Sequence, residues 1–555
     1  MNTVSEMQEQ LIAFLKSPSS YPHRPAEVRS LQTHISWVFI ASPFVFKVKK
    51  PVNLGFADFS TLEKRHYFCQ REVELNRRLA PEIYLGVVAI YKTASGFSFS
   101  APPRRGKIAD YSVKMRKLPR GWFLSELLAK GLVGETEINR VVSRLHQFYK
   151  TETPTPEIEQ WGTPENLKIS TDENFAQVKP FVDQTISSAA FEAIRHYTNQ
   201  FYVTNENLFR ERIQQHRILD CHGDLHLDHI HLTPETTTIF DCIEFNDRLR
   251  FIDIANDVVF LAMDFDFERR RDLGTLLLRN AAREFRDPDM LKIANFYKCY
   301  RAFVRGKVES IQAAGIVGQA LRLPNVGERV KHACRYFRLA LQYAVAGSEP
   351  SILVIMGRVG TGKTSVARQL ARELDWPLFS SDEIRKTLAG VPLRERTPPD
   401  LRDKLYSAQM TQQTYKKLVE EGVAALAAHG GVILDATFST RANRDFLREQ
   451  CTNANVRLQA VELAVGVEQI KDRLRARDDT RLRRGEISDA RLEDFEKSNA
   501  AYEEPSELVP NLVKISARGA VADTVKAVLL HLAEKAASRT DLPLESKPPR
   551  IGVEF

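Results

Sequence analysis

The glycine-rich segment Gly357-Arg-Val-Gly-Thr-Gly-Lys-Thr364 is the strongest indicator of the fold of the C-terminal third of this 555-residue chain. It follows an apolar run at 351–356, SILVIM, and precedes a helical segment, so it lies where a strand turns into a helix. The pattern GxxxxGK[ST] in that position predicts a P-loop (Walker A), whose backbone N–H groups and helix N-terminus surround nucleotide phosphates. Lys363 is expected to reach the β- and γ-phosphates and Thr364 to ligate Mg²⁺. The predicted nucleotide-binding residues are Gly357, Arg358, Val359, Gly360, Thr361, Gly362, Lys363 and Thr364.

Apolar runs alternate with helical segments on both sides of this loop. The alternation predicts a P-loop NTPase fold of the α/β class, with a parallel sheet covered by helices. The predicted strands are 351–356, 377–380, 431–436, 456–465 and 512–516. The segment 346–350, AGSEP, is predicted to be a linker, and the proline-containing tail 538–555 is predicted to be disordered.

Two carboxylates and two arginines beyond the loop point to phosphoryl transfer. Asp382 follows the second strand and Asp435 ends the third, so both are expected at the sheet edge near the phosphates. A carboxylate at the position of Asp435 holds Mg²⁺ or positions the acceptor. Arg473 and Arg477 lie one helical turn apart and are predicted to close over the phosphoryl group as a lid. The alternative for the two arginines is a solvated basic face paired with nearby aspartates.

With these residues in view, 350–535 resembles small P-loop kinases of the gluconate kinase, polynucleotide 5′-kinase and zeta-toxin-like group. The motifs that carry the resemblance are GRVGTGKT, SSDEIR at 380–385, LDATF at 434–438 and the arginine-rich lid. The resemblance implies ATP and Mg²⁺ as cofactors and Asp382 as the general base that accepts the acceptor's proton. It further implies acceptor contacts from Arg385 and Arg444, for which surface positions on amphipathic helices are the alternative.

The first part of the chain has a different character. Residues 1–30 predict a short helix and a connector, and 36–50 predict a hairpin that turns at Ser42-Pro43. In its second strand Phe44, Phe46 and Val48 share one face and the lysines share the other. A helix at 61–79 and strands at 84–91 and 111–118 follow, and after 120 the pattern is mainly helical to about 345.

One segment interrupts that helical part, Cys221-His-Gly-Asp-Leu-His-Leu-Asp-His-Ile-His231. Asp224, His229 five residues later, and Asp241 at the end of a following strand have the spacing of a kinase-like phosphotransfer site. The lysine strand FKVKK and a glutamate of the 61–79 helix supply a Lys–Glu pair that anchors phosphates. The alternative is a metallo-hydrolase site on the pattern from Asp224 to His229, whose first ligand would be an aspartate.

These residues resemble the aminoglycoside phosphotransferase and choline-kinase-like group. The motifs are REVELNRRLAP at 71–81, VKMRKLP at 113–119, HGDLH at 222–226, FDCIEFN at 240–246 and IDIANDVVFLAMD at 252–264. The resemblance spans about 30–345 and implies a protein-kinase-like α+β fold. With the second domain, nearly the whole chain resembles bacterial bifunctional proteins that join an aminoglycoside phosphotransferase-like domain to an ATP-binding domain.

The resemblance implies a role for each matching residue of the first domain. Asp224 would accept the acceptor's proton, Asp241 and His229 would bind Mg²⁺, and Lys47, paired with Glu72, would contact the phosphates. Residues 116–119 would form the hinge beside adenine, Lys49 stays open as an alternative to Lys47, and Asp253 and Asp257 would organise the catalytic loop.

The match to that group departs at two points. His229 stands where the group has asparagine, and no G-x-G-x-x-G loop precedes the lysine strand. A neutral imidazole can ligate a divalent ion, but with different affinity and geometry. A pseudokinase domain retained for binding or regulation is therefore the alternative.

Composition bears on the charge of the ligands, on the use of the cysteines and on the cellular location of the protein. A net charge of +8 and a pI near 9.0 suggest anionic ligands such as nucleotides, and ordinary solubility is the alternative explanation of this mild charge. The cysteines are far apart and form no CxxC pair, so neither a zinc cluster nor a disulfide framework is predicted. The N-terminal residues do not predict a signal peptide, and no apolar run of the ~20 residues needed to span a bilayer is predicted. A cytoplasmic protein without a membrane partner is predicted.

The sequence predicts a multidomain chain with five parts. They are an N-terminal helix and connector at 1–30, a kinase-like domain at 31–345, a linker at 346–350, a P-loop kinase domain at 351–537 and a tail at 538–555. The predicted activity is ATP-dependent transfer of the γ-phosphate to a hydroxyl of a small molecule or a nucleotide end group. The alternatives are a nucleotide-gated regulatory NTPase with a pseudokinase domain and a nucleic-acid 5′-hydroxyl kinase.

Overall fold

The computed structural model describes residues 6–33, 35–55, 57–94, 96–101, 106–315, 326–393, 397, 399–478 and 492–539. The strands are β1 (Arg29–Gln32), β2 (Ser36–Ala41), β3 (Phe44–Lys49), β4 (Tyr84–Thr93), β5 (Gly96–Ser98), β6 (Ile108–Arg116), β7 (Ile218–Asp220), β8 (Ile230–Leu232), β9 (Thr237–Ile239), β10 (Phe251–Asp253), β11 (Ser351–Met356), β12 (Leu378–Ser380), β13 (Gly431–Asp435), β14 (Arg457–Ala464) and β15 (Leu512–Ser516).

The helices are α1 (Glu6–Lys16), α2 (Leu62–Arg77), α3 (Leu124–Ala129), α4 (Glu135–Thr151), α5 (Pro156–Glu159), α6 (Pro164–Val178), α7 (Ser188–Thr204), α8 (Glu206–Gln214), α9 (Ile254–Phe267), α10 (Arg271–Glu284), α11 (Asp289–Ala313), α12 (Val326–Val345), α13 (Lys363–Leu374), α14 (Ser381–Ala389), α15 (Pro399–Leu405), α16 (Ala408–His429), α17 (Arg441–Asn453), α18 (Val467–Asp478), α19 (Phe495–Ala500) and α20 (Val521–Ala537). Within the described part of the chain, no helix is both long and apolar enough to cross a membrane.

The chain divides into two compact units, Met1–Gln177 with Asn205–Ala333, and Val178–Thr204 with Cys334–Phe555. This division differs from the predicted boundary at 346–350. Helix α7 packs along α20, and Gln342 of α12 donates a 2.6 Å hydrogen bond to the Leu374 carbonyl of α13. Residues 178–204 and 334–345 therefore belong with the P-loop unit in space, although they precede the P-loop in sequence.

The N-terminal unit is built on an antiparallel sheet with the order β1-β2-β3-β6-β4-β5. The predicted hairpin is confirmed, because β2 and β3 pair with Ala41 opposite Phe44. Phe46 and Val48 pack in a cluster with Leu11 and Leu15 of α1. The lysines of β3 point to the other face, where α2 packs. The predicted alternation of β3 is confirmed, and it aims two cations at one helix.

Helical packing and two short ladders complete this unit. Helix α9 is buried along its whole length and packs against α10 and α11. The ladders β7–β10 and β8–β9 flank the His- and Asp-rich segment that interrupts the helical part. Apolar contacts on α9 and the two ladders therefore fix the position of that segment.

The second unit is built on a parallel sheet with the order β12-β13-β11-β14-β15. All five predicted strands are confirmed, with ends that agree within one residue. Every residue of β11 and β13 is buried, which explains why both read as continuous apolar runs. Because all strands are parallel, their carboxyl ends lie along one edge, and that edge receives the glycine-rich loop after β11.

Candidate functional site

The glycine-rich loop joins β11 to α13, and its shape depends on glycine. Gly357 has φ 134°, and a Cβ there would lie 2.8 Å from the carbonyl oxygen of Leu463 in β14. Gly360 has φ 80°, and its Cβ would lie 2.9 Å from the side chain of Ile470. Any other residue at either position would have both a strained backbone and a steric clash. The loop therefore lies tight against β14 and α18, with its remaining side facing the sheet edge.

Two side chains at the start of α13 form the polar centre of the loop. Thr364 Oγ1 donates a 2.6 Å hydrogen bond to Oδ2 of Asp435, which ends β13. Lys363 Nζ donates to the Arg358 carbonyl at 2.9 Å. Burial raises the pKa of Asp435 to about 6, although Lys363 and Thr364 act in the opposite direction. The adjacent hydroxyl and carboxylate oxygens fit the oxygen ligands that Mg²⁺ prefers.

A cavity of about 420 Å³ opens beside this centre. Gly360, Lys363 and Thr364 line it from the loop, and Asp382 lines it from the first turn of α14. Its other walls come from α15 and the loop after it, from α16, and from α19 and the loop after it. The wall residues on these elements include Arg402, Asp403, Tyr406, Thr411, Tyr415, Lys497, Ser498, Ala501 and Tyr502. The cavity therefore brings the predicted base and the predicted phosphate-binding residues to one space.

The arginines predicted to form the lid or to contact the acceptor have different surroundings in the structure. Arg473 donates to the Thr361 carbonyl at 3.0 Å and to the Ala517 carbonyl at 2.7 Å, so its guanidinium supports the backbone of the loop. The side chain of Arg477 lies outside the described part of the chain. Arg385 lines the cavity and donates to Thr411 Oγ1 at 3.0 Å.

Arg444 does not have the predicted position. It is fully buried, forms an ion pair with Glu507, and donates to the carbonyls of Phe438 and Glu503. The structure thus gives Arg444 a structural role in place of the predicted contact with an acceptor, because its whole guanidinium is used to hold chain segments together.

The N-terminal unit brings its two β3 lysines to α2. Lys47 Nζ lies 2.9 Å from Glu72 Oε1 and 2.6 Å from Asp241 Oδ1. Lys49 Nζ lies 2.7 Å from Glu72 Oε2 and also pairs with Glu244. Burial alone would lower the pKa of Lys47, but Asp241 and Glu72 raise it well above its usual value. Lys49 has no exposed side-chain surface, so of the two lysines Lys47 is the one that faces the predicted site.

Asp224, His229 and Asp241 lie together, as their spacing predicted. Asp224 Oδ2 is 3.6 Å from His226 Nε2 and 3.6 Å from His229 Nδ1. His229 Nε2 is 3.5 Å from Asp241 Oδ2. Burial lowers the pKa of His229 to about 4. Burial would raise the pKa of Asp224, but His226 and His229 hold it below its usual value.

Hydrogen bonds and backbone geometry hold this cluster in place. Asp257 accepts from the backbone N–H groups of His222 and Gly223, each at 2.9 Å, which confirms its predicted role in organising the loop. Gly223 has φ 85°, and a Cβ there would lie 2.8 Å from a backbone carbonyl. Asp241 has φ 64°, and its N–H donates to Tyr84 Oη at 3.1 Å. Aspartate enters the left-handed region more readily than most residues with a side chain, and this hydrogen bond helps to hold Asp241 there.

Comparison with known proteins supports a P-loop domain in the second unit. Residues 352–505 match the family model described as "AAA domain". The chain carries a P-loop domain. An uncharacterized protein of Mycobacterium tuberculosis is 29% identical over 446 residues, which cover 80% of this chain and 85% of that protein. The similarity extends to both units, because a match of 446 residues is longer than the part of the chain before residue 350 and longer than the part after it.

Shorter similarities lie among kinases. A shikimate kinase of Moorella thermoacetica is 27% identical over 85 residues, 15% of this chain and 48% of that protein. Among solved structures, a gluconokinase from Sinorhizobium meliloti is 23% identical, with coverage of 34% of this chain and 94% of that chain and a TM-score of 0.25. A shikimate kinase from Aquifex aeolicus is 18% identical, with coverage of 34% and 99% and a TM-score of 0.24. The aminoglycoside phosphotransferase-like fold of the first unit stays a prediction.

Several site residues escaped the sequence analysis. Glu244 lies in the quoted motif FDCIEFN, and its pairing with Lys49 follows only from the fold. The cavity residues on α15 and α19 belong to no recognisable sequence motif. A polar residue on a short helix looks like any solvated position until the fold shows which space it faces. His226 did have a signal, because it lies within the metallo-hydrolase pattern from Asp224 to His229 that the sequence offers as an alternative.

Proposed function

We propose that this chain is an ATP-dependent phosphotransferase that transfers the γ-phosphate to a hydroxyl of a small molecule at its P-loop site. The observation that carries the proposal is that Asp382 and the pair Lys363 and Thr364 line one cavity. A general base and a phosphate-binding centre facing the same space are what direct transfer between ATP and an acceptor requires.

The chemistry that these residues would perform is a single displacement. Thr364 and Asp435 would hold Mg²⁺, which would offset the negative charge of the phosphates, and Lys363 would turn from the Arg358 carbonyl toward the β- and γ-phosphates of ATP. The acceptor's hydroxyl oxygen forms a bond to the γ-phosphorus while the bond to the β–γ bridging oxygen breaks. The hydroxyl proton passes to Asp382, and ADP leaves. The site acts by positioning the reactants and offsetting their charge.

Cavity size supports a small acceptor. A volume of about 420 Å³ falls within the range of pockets for small molecules. The similarity to shikimate kinases from Moorella thermoacetica and Dechloromonas aromatica supports the same class, because their names state a small hydroxylated acceptor. The walls carry both signs of charge, from Arg385, Arg402 and Lys497 to Asp382 and Asp403, which suits a polar molecule.

The experiment is a screen of hydroxylated metabolites, nucleosides and 5′-hydroxyl oligonucleotides with radiolabelled ATP. It is run in parallel on wild type, Asp382→Asn and Glu383→Gln, the last being a matched control on the same helix turn. We expect a labelled product from wild type and the control but not from Asp382→Asn. ATP hydrolysis without any labelled product would favour a nucleotide-gated regulatory protein. Labelling of oligonucleotides alone would favour a 5′-hydroxyl kinase.

A second candidate activity concerns the N-terminal unit. Lys47 lies within 2.9 Å of Glu72 and 2.6 Å of Asp241, which supports a second nucleotide site of the phosphotransferase kind. There Asp224 would serve as base, and Asp241 and His229 would hold the metal ion, Mg²⁺ in the related group. Including Asp224→Asn in the screen separates this role from a pseudokinase. If Asp224→Asn and Lys47→Met give the same products and the same nucleotide affinity as wild type, the unit is a pseudokinase.

A further inference from the structure

The imidazole of His229 is oriented by the backbone. Its Nδ1 lies 2.9 Å from the carbonyl oxygen of Asp224. A carbonyl oxygen only accepts hydrogen bonds, so Nδ1 carries the proton and donates it. The lone pair of the neutral ring is then on Nε2. A hydrogen bond of this kind from the other ring nitrogen is what fixes the tautomer and orientation of metal-ligating histidines.

That Nε2 faces a carboxylate oxygen at ligand spacing. Oδ2 of Asp241 lies 3.5 Å from His229 Nε2, while Oδ1 of the same carboxylate lies 2.6 Å from Lys47 Nζ. Two atoms bound at ~2.1 Å to one ion in tetrahedral geometry lie ~3.4 Å apart. The hydrogen bond from Lys47 orients the carboxylate and leaves Oδ2 toward the imidazole. One nitrogen and one oxygen are therefore set at the spacing of two ligands of one ion.

The backbone of Asp241 is held in an unfavourable conformation that keeps this pair together. Its φ of 64° lies in the left-handed region, where a residue with a side chain is disfavoured, and the hydrogen bond to Tyr84 Oη holds its N–H. Strain of this kind persists only where the surrounding structure enforces it, and it concentrates at ligand sites.

We propose that His229 Nε2 and Asp241 Oδ2 bind a divalent first-row transition ion, and that this site selects such an ion over Mg²⁺. Mg²⁺ favours oxygen ligands only, whereas an imidazole nitrogen suits ions such as Co²⁺ and Zn²⁺. Nucleotide phosphates and water would fill the other coordination positions. The inference rests on the proposed role of this cluster as a nucleotide and metal site, and it changes the expected ion.

A neighbouring grouping offers a different ligand set. Asp224, His226 and His229 each present a ligand atom within 4.8 Å of the others. His226 Nδ1, however, accepts from the Asp228 N–H at 3.3 Å, so Nε2 carries the proton and points it at Asp224 Oδ2, 3.6 Å away. We therefore assign His226 the positioning of Asp224, and metal binding to the other pair.

The test is metal binding to the full chain without nucleotide, after chelation, in an Asp435→Asn background that weakens the P-loop metal site. Co²⁺ is titrated by its visible absorption, and bound Mn²⁺ is examined by pulsed electron paramagnetic resonance for coupling to ¹⁴N. We expect one Co²⁺ with nitrogen ligation that an excess of Mg²⁺ does not displace. His229→Asn, which supplies an amide oxygen, should weaken Co²⁺ binding at least about tenfold and allow Mg²⁺ to compete. Asp241→Asn should also weaken it, and His226→Gln should not.

Three results would overturn the proposal. They are Mn²⁺ without ¹⁴N coupling in wild type, Co²⁺ binding unchanged in His229→Asn, and a loss in His226→Gln that Asp241→Asn does not share. If His229→Asn does not fold, displacement of Co²⁺ by Mg²⁺ in the parent protein decides. These spectra are independent of phosphoryl transfer at the P-loop, so a failed acceptor screen and a failed metal assignment remain distinguishable.

Discussion

Thr364 Oγ1 donates a 2.6 Å hydrogen bond to Asp435 Oδ2, which ties the start of α13 to the end of β13. Both oxygens belong to residues that the sequence predicts to bind Mg²⁺. The bond shows that β11 and β13, which are neighbours in the sheet but 75 residues or more apart in sequence, deliver their polar ends to one point.

We expect the stability of the metal-free protein to depend on the ionisation of Asp435. Burial raises its pKa from 3.8 to about 6, so the folded state binds this proton more tightly than the unfolded state. This contribution to stability is fully present below about pH 4, the pKa of the unfolded state, and is lost as pH rises to the folded-state pKa of about 6. Asp435→Asn should therefore be more stable than wild type by about 3 kcal/mol at pH 8 and by only about 1 kcal/mol near pH 4.5. Urea unfolding at both pH values measures the difference, and a variant less stable than wild type at pH 8 would contradict the prediction.

Gly357 is predicted to tolerate no side chain. Gly357→Ala places a Cβ 2.8 Å from the Leu463 carbonyl oxygen at a φ of 134°, so the loop must shift. We expect ATP affinity to fall at least about tenfold and the free energy of unfolding by about 1–3 kcal/mol. Gly466→Ala is the matched control, because nothing lies within 4 Å of its Cβ position. Calorimetric titration with ATP and urea unfolding measure both effects, and equal behaviour of the two variants would show that the loop adapts.

Arg473 is predicted to support the loop more than the transition state. Its guanidinium donates to two backbone carbonyls, of Thr361 and Ala517, so Arg473→Ala removes a brace from the P-loop. We expect the KM for ATP to rise more than kcat falls. Arg475→Ala, on the exposed side of the same helix, is the control. A fall in kcat at unchanged KM would instead restore the predicted lid role.

We expect the two lysines of β3 to have different roles, with Lys49 contributing mainly to folding stability and Lys47 mainly to nucleotide binding. Lys49→Met leaves Glu72 and Glu244 as buried carboxylates without their common partner, so we expect a loss of about 3–5 kcal/mol in unfolding free energy. Lys47→Met should cost less stability, because the Lys47 side chain keeps an exposed fraction of 11% whereas that of Lys49 has none, and it should reduce nucleotide binding to the N-terminal unit. Denaturation and nucleotide binding in a Lys363→Ala background, which silences the P-loop, test both. The reverse ranking would exchange the roles of the two lysines.

Local patterns predicted much of this fold. The five parallel strands and the β2–β3 hairpin follow from apolar runs, alternation and turn residues, which act within a few residues of sequence. The grouping of Asp224, His229 and Asp241 could be predicted from their spacing, because only the short β8–β9 hairpin separates His229 from Asp241. The features that the sequence could not predict depend on tertiary packing. Neither the burial of Arg444 nor the use of Arg473 as a brace has a local signal, since an arginine on a helix looks alike in both settings.

The placement of α7 has a consequence for any attempt to divide the protein. Its buried residues, among them Phe191, Ile194 and Tyr197, pack along α20 in the second unit, although the chain enters and leaves α7 from the first unit. A fragment that starts at residue 346 would lack α7 and would present the apolar side of α20 to water. One segment of the second unit, residues 178–204, therefore lies between the two sequence segments that form the first unit. The protein is not a simple end-to-end fusion, and a cut between its two halves would damage the half that holds the P-loop.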